Sequence, residues 1–458
     1  LTQLMAENLF FNQQNFLSDT LDQLSDQVND GYGYGADFRY TEPVGNKGLL
    51  MGSYEYNFRH SENDKITNNY NEASNSYNLL DSTLSNNFAS DYIRQSAGIS
   101  FRFRERKISF FTGLDFQWAQ LSNQQFFPAT NQQQFNFQNL IPMVMLRYDL
   151  GNNKNLRLFY RPRTNEPSIS QLQNVVDNTN PLQISMGNPD LNQEYTHNLF
   201  VRYAASNPER SSTFFAMLGG SVTQDNITNA TLIAQKDTLL FNDFLLTRGS
   251  QFSQPVNLDG FWSLRSFMTY GVPFAPIKSN LNFNLSANYT ATPGIVNGNK
   301  NLAKATLLGA GLVISSNISE KVDFTITSQS NYNIVLSSLQ QQTNNNYFNQ
   351  STSFDLNLIF PWGIVLRSNL NHQLFRGLSD GFDQDFLLWN MSLGKKLFKN
   401  ERGELALTIF DLLNQNTSIN RIVTDAYLED VRTNVLQQYV MLTFTYQIRS
   451  FREKGMRE

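Results

Sequence analysis

With 458 residues and no proline-rich or glycine-serine-rich divider, the chain reads as one large domain, and 35 basic against 39 acidic residues build no strong field for nucleic acid. The absence of Cys excludes thiol catalysis, disulfides and a lipidated N-terminal cysteine within these residues. Mean hydropathy is -0.40, and no apolar run approaches the roughly 18 to 20 residues of a spanning helix. A helical membrane protein is therefore excluded, whereas a strand that turns only alternate residues toward lipid is not.

The chain opens on LTQLMAENLFF, without an initiating Met, a basic start or a small-residue cleavage site. This fits a mature chain or one whose beginning lies elsewhere. From there, apolar and polar residues alternate in ladders that pair as hairpins. Tyr34 to Tyr40 and Leu50 to Phe58 flank the tight turn Gly45-Asn46-Lys47-Gly48, followed by a polar loop from Ser61 to Ser90. Ile99 to Phe103 and Phe110 to Trp118 flank Glu105-Arg106-Lys107, with an Asn/Gln-rich loop from Ser122 to Asn139 beyond. Met143 to Leu150 turns through Gly151-Asn152-Asn153 into Leu156 to Arg161, and the loop Pro162 to Glu194 follows. His197 to Tyr203 with Thr213 to Thr223 and, after the loop Asp225 to Pro255, Trp262 to Tyr270 with Leu281 to Ala291 repeat the arrangement.

Later pairs are Leu307 to Ile314 with Val322 to Tyr332, Phe354 to Phe360 with Ile364 to His372, and Leu387 to Leu397 with Leu405 to Ile409; Val440 to Ile448 closes the series. Long loops are expected at Val335 to Gln350 and Asn414 to Val435. Short turns alternating with long loops predict an all-β, transmembrane antiparallel β-barrel, with short periplasmic turns and long extracellular loops. The count is about seventeen strands, and single-chain bacterial barrels have even numbers. An earlier strand is implied, which Leu1 to Asn15 partly supplies.

One face of these strands carries Leu, Phe, Tyr, Ile and Met. The other carries Asp37, Arg39, Glu55, Arg59, Arg102, Arg104, Asp115, Arg157, Asp323, Asp355 and Arg367. A packed sandwich seldom buries so many charges, so Arg59, Arg102, Arg104, Asp115, Arg157, Asp323, Asp355 and Arg367 are expected to face a wet lumen. Between Asn280 and Thr292 the pattern is most regular, which puts Leu285 toward lipid and Asn284 toward the lumen. Trp118, Trp262 and Trp389 fall near long-loop ends, and Trp362 lies in the turn Pro361-Trp362-Gly363, as two aromatic belts would require.

The sequence holds no Walker loop, GxGxxG element or GxSxG elbow, and His60, His197 and His372 stand far apart with no HExxH spacing. No enzyme activity, cofactor or metal site is expected. Asp225-Asn226 and Asp383 with Asp385 lack the spacing of a calcium loop. The polar tracts Asn131 to Gln134 and Gln340 to Asn346 read either as solvated loop or as a sugar- or peptide-binding mouth.

The loop after Arg161 contains Thr164-Asn165-Glu166-Pro167-Ser168-Ile169, Gln171-Leu172-Gln173, Asn180-Pro181-Leu182, Gly187-Asn188-Pro189-Asp190-Leu191 and Glu194-Tyr195. These blocks resemble the barrel domain of TonB-dependent receptors, in particular the Bacteroidota-type outer-membrane β-barrel family. Phe410 to Asn416 is similar to the penultimate-strand motif of such receptors, and Tyr439 to Phe451 to their closing strand. The resemblance implies a barrel of roughly 22 strands. Residues 1–451 are then most of that barrel, its first strands and plug lying outside this sequence, and 452–458 form a short periplasmic extension.

The resemblance also implies ligand capture at the loops and import driven by a periplasmic energy-coupling protein acting on a plug. Neither plug nor coupling box is found here. Outer-membrane lipid is the implied surround, and a surface lipoprotein or other outer-membrane subunit a further partner. The alternative is a structural, partner-binding barrel subunit without transport of its own; a passive porin is a third reading. The loop Pro162 to Glu194 serves as a rim cap or as a substrate-binding segment.

Overall fold

The computed structural model describes residues 2–448 except 13–14, 83, 152, 179, 181, 241–244, 317, 320, 340–344, 379–382, 399–400, 424–427 and 434. Residues 452–458 and most of the 340–346 tract thus lie outside the described residues. Antiparallel neighbours follow one another along the chain: β1 (Thr2–Asn12), β2 (Asn15–Val44), β3 (Gly48–Asn71), β4 (Asn86–Glu105), β5 (Ile108–Phe127), β6 (Asn131–Gly151), β7 (Lys154–Tyr160), β8 (Glu194–Asn207) and β9 (Ser212–Gln224). The meander continues through β10 (Phe261–Phe274), β11 (Ser279–Val296), β12 (Asn299–Ser316), β13 (Val322–Ser337), β14 (Asn345–Ile359), β15 (Ile364–Arg376), β16 (Gln384–Leu397), β17 (Gly403–Phe410) and β18 (Tyr439–Tyr446).

The run ends at β18 rather than at about seventeen because Thr2–Asn12 forms a hairpin with Asn15 to Ser25. Among the described residues, no ladder joins β18 to β1 or β2, and β2 beyond Ser25 pairs only with β3.

Two expected loops are strand instead. The polar stretches Ser61 to Ser90 and Ser122 to Asn139 largely extend β3, β4, β5 and β6, leaving tight connections such as Pro128 to Thr130. Polar residues on both faces carry no oily signature, yet ladder hydrogen bonds satisfy their backbone wherever a partner strand continues. Strands of 20 to 30 residues exceed the roughly 9 to 11 that cross a bilayer. On β5, the segment from Ile108 to Trp118 already meets that length, so the Gln- and Asn-rich remainder stands beyond the lipid. Trp118 stacks edge-on against Phe116 at 4.3 Å, and Trp262 lies 4.6 Å from Tyr289. Trp362 protrudes from its turn 85% exposed.

Along β11 alternate residues lie on opposite faces of the sheet. Phe283 and Leu285 are about half exposed on the outer face, while Asn284 is opposed by Thr269 and Gly311. Packing is densest at the long-loop end. There Phe88, Tyr92, Ala119 and Leu121 of the inner wall bury Leu172 and Leu191 of the loop, and a second cluster joins Leu84, Val176, Ile184, Ala234 and Leu246.

Candidate ligand-binding mouth and inner wall

The loop between β7 and β8 is built from turn chemistry and then anchored. Arg163–Asn165 pairs with the start of β8, and Ser168 accepts the Leu172 N–H to open the single helical turn Ile169–Leu172. Gly187 passes so close to Gln173 that a Cβ would lie 2.3 Å from its carbonyl oxygen, which only glycine avoids. That approach lets the Gly187 and Asn188 amides bond Gln173 O and Gln171 O, at 2.8 and 2.6 Å. The Asn188 side chain holds Pro255 O at 2.9 Å, tying this loop to the next one. Gln183–Met186 lies parallel to Gln251–Asn257, which pairs with Ile227–Ile233, so the two loops share one small ladder.

This unit reaches across the inner face of successive strands. Asn178 donates to Gln23 of β2 at 3.1 Å, Gln173 to Asn63 of β3 at 3.1 Å, and Arg59 of β3 to Glu166 at 2.9 Å. Gln193 donates to the Tyr92 hydroxyl of β4 at 3.3 Å, Gln117 of β5 to Thr164 at 2.9 Å, and Asn139 of β6 to Gln193 at 2.8 Å. Leu191 is fully buried and Leu172 nearly so. At the upper end of β8, the carboxylate of Glu194 accepts the Ile227 N–H at 2.7 Å. The loop is therefore a folded cap on the inner wall. Beside it Arg161, Arg163, Asn165, Glu194, Asn198 and Arg265 line a polar recess of about 520 Å³.

The eight sequence-predicted charges fall into groups. Arg59 belongs to the cap, paired with Glu166 and 5.6 Å from the ring of Tyr92. Arg102, Arg104 and Arg157 line one groove of about 500 Å³ near the short turns, together with Arg147 and Asp149. Asp115 stands between them, opposite Gly98 and Ile141. Asp323, Asp355 and Arg367 come together on a distant wall, in a recess of about 390 Å³. There Arg367 engages Glu404 through both nitrogens, one contact at 3.0 Å, while Asp323 accepts from Ser316 at 2.8 Å.

Sequence reasoning missed Arg147, Arg202 and Arg265. Each follows the same alternation as its neighbours, and only register places Arg147 and Arg202 beside Arg157 and Arg265 opposite Gly219.

The histidines are separate, as their spacing implies: His60 contacts Asp91 at 2.7 Å, His197 the Tyr160 hydroxyl at 2.9 Å, and His372 Asp385 at 2.8 Å. Asp385 also meets Arg376 at 3.2 Å, while Asp383 accepts the Leu378 N–H at 2.9 Å. Asn131 to Gln134 are not loop but the first residues of β6.

The Phe410 to Asn416 motif has a local explanation. Asp411, buried, accepts the N–H groups of Gln415 and Asn416 through its two oxygens, both at 2.9 Å, while its own N–H donates to Asn390. One acid thus turns the chain out of β17.

No curated protein matches the chain. Among solved structures, the ferric yersiniabactin uptake receptor FyuA from Yersinia pestis is 9% identical, with a TM-score of 0.40 over 97% of this chain and 74% of that one. The siderophore receptor PirA from Pseudomonas aeruginosa is 10% identical, with a TM-score of 0.36 over 87% and 73%. A family model described as "Outer membrane protein beta-barrel family" matches residues 2–299 and 290–446, nearly the entire strand run. The chain belongs to this outer-membrane β-barrel family.

Proposed function

We propose that the chain is the barrel of a receptor-like outer-membrane transporter, which takes a ligand at its loop-lined mouth and passes it inward by movement of a plug pulled from the periplasm. The observation that carries the reading is the cap: Leu172 and Leu191 are buried against the inner wall, and polar anchors run from β2 to β6. A structured segment anchored on the inner wall supplies the rigid frame that ligand recognition needs. The wall below supplies the polar, charged lumen that such a ligand would traverse.

Lipid tolerates no unpaired strand edge, so on this reading the edges of β2 and β18 are closed by further pairing. A barrel of roughly 22 strands, of which residues 1–451 form most, with 452–458 periplasmic, is the form the family resemblance suggests.

The test is cross-linking in cells between the full gene product and a periplasmic energy-coupling protein, with conductance of the purified product in planar bilayers. Coupling-protein capture and a closed baseline are expected; a steady open pore without such capture would sink the proposal. Walls extending past Trp118 favour one rival, a subunit that presents its rim to other outer-membrane proteins. Stoichiometric copurification of a partner covering the mouth, without the coupling protein, would select that rival.

A further inference from the structure

Below the cap, ladder register stacks two unlike rows on the inner face of β4 to β10. Nearer the short turns, Arg104 opposes Ser109, Ser109 opposes Arg147, Arg147 opposes Arg157, and Arg157 opposes Arg202. Three arginines thus sit directly across from one another on consecutive strands, an arrangement that like-charge repulsion disfavours. Only Arg147 has a carboxylate within ion-pair distance, Asp149 at 2.9 Å. Among the described residues, Arg102, Arg104, Arg157 and Arg202 show no such pair, whereas Arg59, Arg94, Arg367 and Arg376 each have one.

Two residues further along each strand, the row reads Arg102, Phe111, Met145, Phe159, Phe200, Gly219 and Arg265, every neighbour again in direct register. An apolar shelf with arginines at both ends therefore lies about 7 Å above the arginine row, two residues at the rise of a strand.

We infer that this two-row wall binds a small anion carried on an aromatic or similarly flat apolar body, such as an aromatic carboxylate. The acid would meet the guanidinium groups of Arg104 and Arg157, whose forked donors suit carboxylate oxygens, while Arg202, next to Arg157 in register, lies 4.8 Å from the ring of Phe215. The body would rest on Phe111 and Met145, which line the same groove, with Phe159 next to Met145 in register. The 7 Å offset matches one ring and its acid group rather than an extended chain, and the groove of about 500 Å³ leaves room for it. With the acid toward the short turns, the site lies where cargo would leave the barrel. The inference rests on the inner face being a wet lumen, but not on energy-coupled import.

The test uses the purified full gene product held in amphipol, 2-naphthoate as probe and 2-naphthalenemethanol as its uncharged counterpart, read by calorimetric titration. One saturable site for naphthoate is expected, at least tenfold tighter than for the alcohol. Arg157→Gln should weaken it about tenfold and Phe159→Leu several-fold, while Arg39→Gln, on β2, should leave it unchanged. Because Arg157→Gln removes repulsion, its folding should be intact.

Labelling of Asn198→Cys by a charged maleimide reports the wet lumen independently. Labelling without naphthoate binding overturns the site alone, and no labelling overturns the lumen beneath it. Equal binding of acid and alcohol, or binding of poly-glutamate in place of naphthoate, also overturns the inference.

Discussion

The ring of Phe200 on β8 lies over Gly219 of β9, so close that a Cβ on that glycine would stand 2.4 Å from Cδ1 of the ring. The missing side chain is what lets Phe200 lie down along the wall over β9 instead of pointing into the lumen. Gly219→Val should therefore displace the ring and cost about 1 to 3 kcal/mol through overpacking. Thermal melting of the purified barrel checks this, and the double variant Gly219→Val/Phe200→Ala should recover part of the loss. No recovery would mean that Phe200 is not what the valine strikes.

Leu285 and Asn284 are adjacent and lie on opposite faces of β11, so lipid is expected beside the first and the lumen beside the second. Leu285→Arg should cost roughly 2 to 4 kcal/mol if it lies near the bilayer midplane, and should lower the folded fraction in lipid vesicles. Asn284→Arg, on the side of Thr269 and Gly311, should fold like the parent. Equal yields of the two variants would reverse the assignment of faces.

The cap depends on two leucines. Leu191→Ala should cost about 2 to 5 kcal/mol of local stability, the price of an unfilled cavity among Phe88, Tyr92 and Leu121. Hydrogen exchange should rise in 163–193 and in 227–257, which are laddered together, while exchange in β13 to β16 stays slow. Uniform acceleration through the barrel would show instead that the cap is not a separable unit.

Asp411→Ala should free the amides of Gln415 and Asn416, at about 1 to 3 kcal/mol for donors left without a partner. Asp411→Asn keeps one acceptor and should lose less. Comparing the two by urea unfolding in lipid separates a turn role from mere burial of the acid.

The outline of the barrel was legible because side-chain direction in a strand has a local cause, a period of two that Leu281 to Thr290 display with hardly an exception. The loop motifs were legible as turns for the same kind of reason: glycine, proline and asparagine at Gly187 to Asp190 restrict their own backbone. Where β3 to β6 continue past the lipid, both faces are wet and the alternation vanishes, so Asn131 to Gln134 resembled loop although they are paired strand.

Sequence by itself thus determined an all-β chain with one oily and one polar face, punctuated by short and long connections. The tertiary structure alone decided that the loop after β7 turns inward onto Tyr92 and Leu121, and that Arg104, Arg147, Arg157 and Arg202 stand in one row. Alternation is set by the covalent geometry of each strand, but register is set by which strand edges meet, and a shift of one residue would send every one of those arginines to the lipid face.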